Sequence, residues 1–239
     1  MVVDIFIPCF IDQLYPETAF NMVKVLEGVG CRVNYNTQQT CCGQPAFNSG
    51  HWADAKEVGE KFLKEFKGDK YIVVPSGSCC GFIRNYYGEL FQNTVLHNQF
   101  KTTKTKLFEF TEFLVDVLKI DNLNAKLDAK AVYHDGCGSL RECNINRAPR
   151  KLLNNVKGLE LIELEGPNDC CGFGGAFSVK YEAISVAMGK EKIEKILDSG
   201  ADHLISGDMS CLMHLDGLLS KRGSKIKSLH IADVLAAGW

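Results

Sequence analysis

A chain of 239 residues, 46% of them apolar and 23% charged, can bury the core of one large soluble domain or two small ones. A net charge of −2 argues against an electrostatic grip on nucleic acid or acidic lipid, and no window approaches the 18 uninterrupted apolar residues of a membrane span. The expected location is therefore the cytoplasm, where eleven cysteines point to metal or redox chemistry rather than to disulfides.

The opening "MVVDIFIPCF" is apolar but lacks a basic leader region and carries Asp4 and Pro8, so it reads as a buried strand running to Cys9 rather than a signal peptide. "PETAFNMVKVLEGVG" then has Pro and Glu in a first turn, apolar residues three and four apart and a closing glycine, which is a helix. "CRVNYN" is a strand leading to "TCCGQPAF", and "SGHWADAKEVGEKFLKEF" is the next helix. "KYIVVPSGSC" is a buried strand ending at Cys79, "KTTKTK" (101–106) a solvated loop, and "KIDNLNAKLDAK" (119–130) a polar linker. Beyond it, "AKAVYHDGC" runs to Cys137 and "LELIELEG" to "DCCGFGGAF". "SVKYEAISVAMGKEKIEKILDSG" is a long helix, and "DHLISGDMSC" ends at Cys211.

The chain is written twice. Cys9, Cys41, Cys42 and Cys79 are spaced by 31 and 36 intervening residues around a Cys-Cys-Gly turn, and Cys137, Cys170, Cys171 and Cys211 by 32 and 39. "LFEFTEFL" (107–114) also echoes "KSLHIADVL" (227–235). Strand–helix alternation within each copy predicts an α/β protein of two duplicated parallel-sheet halves, 1–122 and 123–239, related by a pseudo-twofold axis. All eight cysteines then fall at or just beyond strand carboxyl ends, the edge where ligands collect in such sheets. Four thiols per half are soft ligands suited to zinc, copper(I) or iron–sulfur clusters. A vicinal pair strains any disulfide between its own sulfurs, and it is unusual for zinc, which favours C-x₂₋₄-C.

The repeated C…CCG…C pattern resembles the cysteine-rich CCG-domain family, found in heterodisulfide reductase and in the iron–sulfur subunits of glycolate and glycerol-3-phosphate oxidation. "CCGQPAFNSG", "PSGSC", "CCGFGGAFSVK" and "SCLMHLDG" are similar to the branch of that family that serves lactate utilization, across essentially the whole chain. The resemblance implies an iron–sulfur electron-transfer subunit of an L-lactate-oxidising complex, not catalytic alone. It would act with other subunits of that system, without a membrane span and at most peripheral to the respiratory chain. The implied cofactor is one [4Fe–4S] cluster per half, on Cys9, Cys41, Cys42 and Cys79 and on Cys137, Cys170, Cys171 and Cys211, with zinc in one half as an open alternative. The sequence departs from the fuller family pattern: the closing C-x-x-C is absent from both halves, so each set has four thiols rather than five.

Two rival readings are a zinc-binding structural adaptor without redox activity and a thiol–disulfide enzyme using the vicinal pairs. Cys31 reads as a core residue, Cys80 as a bystander beside Cys79 or a ligand that swaps with it, and Cys143 lacks a counterpart in the first half. His214 stands where the missing cysteine would be, as a fifth ligand, a proton carrier or a solvent-edge residue. His134 is either a hydrogen-bond donor to a cluster or a strand residue. Arg84 and Arg141 offset cluster charge, pair with a partner protein or, by default, form surface salt bridges, and Gly172, Gly174 and Gly175 fall short of a dinucleotide loop.

Overall fold

The computed structural model describes every residue except Glu165, Pro167 and Trp239. Glu165, near the end of the expected strand 159–166, and Trp239, the last residue of the second half, therefore lie outside the described residues. Strands β1 (Val2–Ile5), β2 (Arg32–Tyr35), β3 (Tyr71–Val74) and β4 (Leu107–Glu109) form one parallel sheet in the order β2-β1-β3-β4. Strands β5 (Lys126–His134), β6 (Lys157–Ile162), β7 (His203–Ser206) and β8 (Lys227–His230) form a second with the same order, β6-β5-β7-β8. Even the register is duplicated: Asp4 faces Asn34 and Ile72, and Val132, 128 residues later, faces Ile162 and Leu204. The fold is an α/β protein of two duplicated halves.

Several local expectations change. β5 starts at Lys126, inside the expected linker, because its outer end alternates exposed and covered residues and so reads as polar. Residues 101–106 are not a loop: the helix His97–Lys104 takes in most of them, burying Phe100 and Thr103 on one face. The helix expected over 178–200 breaks at Tyr181 into Ala176–Lys180 and Glu182–Asp198.

The halves meet across a shared core to which both sheets contribute, including Val3, Phe113, Val132 and Leu235. Asp208 and Ser76 occupy equivalent places ahead of the helices Met209–Lys221 and Gly77–Leu90. They stand 3.5 Å apart on the pseudo-axis, and the Ser78 amide donates to Asp208 at 2.9 Å, so one half caps a helix of the other. The echoed segments after β4 and β8 both form capping boxes, on Glu109 with Glu112 and on His230 with Asp233.

Glu109 is 2% exposed, and burial pushes its carboxyl up to about 7 despite the hydrogen bonds it accepts from Thr111 and Glu112. A carboxyl raised in the folded state is held in its favoured, protonated form below the unfolded value and loses that stability as pH climbs through the folded one. Unfolding free energy should therefore fall by up to about 3 kcal/mol between roughly pH 4.5 and 7 through this group. Urea titrations at pH 5 and 7.5 should show the fall in the parent chain and little of it in Glu109→Gln.

Candidate metal centre

The chain is braced just before the first cysteine of each half. The Ile7 amide donates to Gln39 Oε1 at 2.7 Å ahead of Cys9. Ahead of Cys137, Arg150 forks onto both oxygens of the buried Asp135 at 2.8 and 2.7 Å.

The Cys-Cys-Gly turns need their glycines twice over. Gly43 and Gly172 have φ of +92° and +88°, and a Cβ would meet Ala55 O at 3.1 Å in one turn and Ser185 O at 2.4 Å in the other. The turn folds both sulfurs inward and aims amides at them: Gly43 N–H donates to Cys41 Sγ, Gly172 N–H to Cys170 Sγ and Phe173 N–H to Cys171 Sγ, each at 3.4 Å. The Tyr87 hydroxyl holds the first turn from behind by donating to Cys42 O at 2.7 Å. Cys79 and Cys211 lie in the first turns of the helices Gly77–Leu90 and Met209–Lys221.

The sulfurs converge in two sets of four. The Cys9 thiol donates to Cys41 Sγ at 3.9 Å, and Cys42 to Cys79 Sγ at 3.4 Å. Hydrogen bonds from Cys42 and then Cys9 pull Cys41 down to about 3, and bonds from Cys137 and then Cys171 pull Cys170 down to about 2. The donors Cys9, Cys42, Cys137 and Cys171 are pushed up in return. Each set thus holds a thiolate among thiols, a soft, partly deprotonated donor group. All eight cysteines line one cavity of about 200 Å³, closed on one side by the edge-to-face pair Phe10 and Phe173, 5.6 Å apart.

Behind the sulfurs the halves differ. His134 is fully buried with neither ring nitrogen hydrogen-bonded, and it lies within 4.8 Å of Cys171 Sγ and Cys211 Sγ. Burial, then the Lys192 charge, hold its imidazole down at about 3, so the ring is neutral. Lys192 is 1% exposed, and its Nζ also has no hydrogen-bond partner. In the first half the matching positions, 128 and 130 residues earlier, are Phe6 and Phe62, packed edge-to-face at 5.0 Å. Lys192 escapes a reading of the sequence alone because a mid-helix lysine signals solvent; only setting it against Phe62 marks it.

His214 does not line the eight-cysteine cavity; it sits half-buried against Phe173, 6.2 Å between ring centroids. Cys31 packs in the core. Arg84 forms an ion pair with Glu112 and covers the Phe108 ring, and Arg141 donates to Asn168 O at 2.7 Å. Cys80 and Cys143, apart in sequence, lie near each other, and each acts on the other's ionisation. No helix among the described residues is long and apolar enough to cross a membrane.

The family model for the cysteine-rich CCG domain matches residues 3–84 and 131–216, one copy in each half. The chain belongs to the CCG cysteine-rich family. Within that family it is 43% identical over 235 residues to lactate utilization protein A of Geobacillus sp. (strain WCH70), covering 98% of this chain and 99% of the relative. It is 45% identical over 239 residues to lactate utilization protein A of Exiguobacterium sp. (strain ATCC BAA-1283 / AT1b), covering 99% and 97%. The architecture of this CCG protein also matches the crystal structure of a hypothetical protein from Helicobacter pylori at a TM-score of 0.66 and 14% identity. That match covers all of this chain and 49% of the other, so the chain spans about half the length of that protein, and the likeness speaks for the fold alone.

Proposed function

We propose that this chain is the iron–sulfur electron-transfer subunit of an L-lactate-oxidising system, with one centre in each half, 1–122 and 123–239. Cys9, Cys41, Cys42 and Cys79 would hold the first, and Cys137, Cys170, Cys171 and Cys211 the second. The observation that carries the reading is the convergence of two four-thiol sets on one cavity of about 200 Å³, room that a bare ion does not need. The donor chemistry fits: soft sulfurs, turn amides aimed at them, and in the second half the buried, unpartnered His134 beside Cys171 and Cys211. When bound, iron–sulfur clusters would supply one-electron acceptance and release. The residues around them exclude water, fix the thiols and set local charge. The lactate assignment rests on the relatives' names and on near-complete coverage of their length. The substrate-oxidising step belongs to other subunits of a cytoplasmic complex.

A second reading has an observation of its own. Sulfur separations of 3.4 and 3.9 Å in the first half are close to the roughly 3.8 Å between ligands set about 2.3 Å from one tetrahedral zinc ion. The first half is thus the one to test for zinc, either alone or as part of a wholly structural adaptor.

Iron, sulfide and zinc analysis of protein purified without oxygen, with its visible spectrum, decides between them. About eight irons and a visible band that bleaches on reduction fit two four-iron centres. About four irons with one zinc assign different metals to the two halves. Iron near zero with about two zincs overturns the relay and leaves the adaptor.

A further inference from the structure

The two halves touch most intimately where the helix Gly77–Leu90 of one meets the turn Gly138–Glu142 of the other. Backbone lies on backbone there. A Cβ at Gly138 would sit 2.5 Å from Ser78 Cα, one at Gly77 1.7 Å from Ser139 Oγ, and one at Gly81 2.6 Å from Glu142 Oε2. This approach sets Cys80, fully buried, beside Cys143, half-buried, near enough for each sulfur to act on the other, with Cys143 Sγ 4.0 Å from Gly77 O. Neither thiol lines the eight-cysteine cavity. The pseudo-axis generates a second such contact, between the helices Met209–Lys221 and Cys9–Leu14, and there the matching positions are Leu212 and Tyr15. Met209 and Met213 stand in that contact where glycines stand in this one. The duplication therefore does not require thiols or glycines here; one side alone carries both.

We propose that Cys80 and Cys143 form a peroxide-responsive thiol pair that closes into a disulfide across the two halves. A disulfide needs unusually close backbones, with Cα atoms within about 7 Å, and side chains at 77, 81 and 138 would forbid that approach. Cys143 is the reachable sulfur, and its Cys80 neighbour and then the Arg84 guanidinium favour its thiolate. The Cys143 thiolate attacks one peroxide oxygen, the O–O bond breaks, and hydroxide leaves to become water, giving a sulfenic acid. The Cys80 thiol then attacks that sulfur. An S–S bond forms, the S–O bond breaks, and a second water carries off the oxygen and the Cys80 proton. Two thiols lose two electrons and the peroxide gains them; a small-molecule dithiol reverses the change by exchange. Closure ties the chain beside Cys79 to the chain beyond Cys137, linking the walls of the cavity covalently. The proposal does not depend on which metal, if any, the eight cysteines hold.

The test is disulfide mapping on the full chain as purified without oxygen. One equivalent of hydrogen peroxide is added, free thiols are alkylated, and peptides are mapped without reductant. The expected result is one cross-linked peptide pair joining Cys80 to Cys143, lost on dithiothreitol treatment, while the eight remaining ligand-set cysteines and Cys31 retain their parent behaviour. In Cys80→Ser, Cys143 should be trapped by a dione probe as sulfenic acid. Cys80 and Cys143 both alkylated after peroxide, or linked only to other cysteines, would overturn the proposal, and the parent chain alone gives that answer without any variant.

Discussion

Serine at Cys171 should cost the protein about half of its iron and sulfide, whereas serine at Cys31 should cost none. Both side chains are buried, at 2% and 6% exposure, so burial alone does not separate them. Their neighbours do. The Cys171 sulfur lies in the cavity with Cys170 and Cys211 and receives the Phe173 amide, while Cys31 lies in the apolar core at the start of β2. A serine oxygen is a hard donor that replaces a soft thiolate poorly. The second set would fall to three thiols and lose its centre, leaving about four irons of about eight. Cys31→Ser should instead reveal itself in stability, since burying a hydroxyl without a partner costs about 1–3 kcal/mol. Metal analysis and urea melts on both variants separate the two effects. Full iron in Cys171→Ser would remove that residue from the set, and zinc lost in place of iron would favour the structural reading.

Both sheets and both Cys-Cys-Gly turns were readable because duplication gives every element a second witness. A weak strand such as "CRVNYN" gains support from "LELIELEG" at the matching place, and the observed registers repeat with the same offset. What escaped was whatever breaks the repeat. The start of β5 hid in a polar segment because only its inner end is covered on both faces. Cys143 and Cys80 looked like strays, since nothing local in a sequence says that three glycines bring two halves into backbone contact. Lys192 had no local signal at all: its helix has the ordinary charge pattern, and its burial arises only in the packed fold. Sequence periodicity reports which face an element buries. It does not report what two faces from distant copies do when they meet.

That asymmetry sets the second large expectation: Lys192→Met should lower the reduction potential of the second centre without destabilising the metal-free chain. A buried ammonium with no hydrogen-bond partner is a cost to folding, so an apolar chain of similar length should leave thermal stability unchanged or raised. In the loaded protein the same charge, which acts on Asp169 and Asp135 and then on Cys171, favours whichever state of the centre is more negative. A hydrogen bond or close contact to a charged group is worth about 1.5–3 kcal/mol. If roughly half of that changes when one electron is added, the potential should drop by about 30–65 mV, at 59 mV per tenfold change. His134→Phe should act in the same direction and by less, because a neutral donor carries no net charge. The double change, Phe at both 134 and 192, would rebuild the Phe6–Phe62 pair of the first half and bring the two potentials together. A redox titration followed by electron paramagnetic resonance, beside thermal melts of the metal-free forms, tests both parts. Unshifted potentials would mean that the charge points away from the centre. A collapse in metal-free stability would make Lys192 a structural residue, and the asymmetry between the halves a matter of packing.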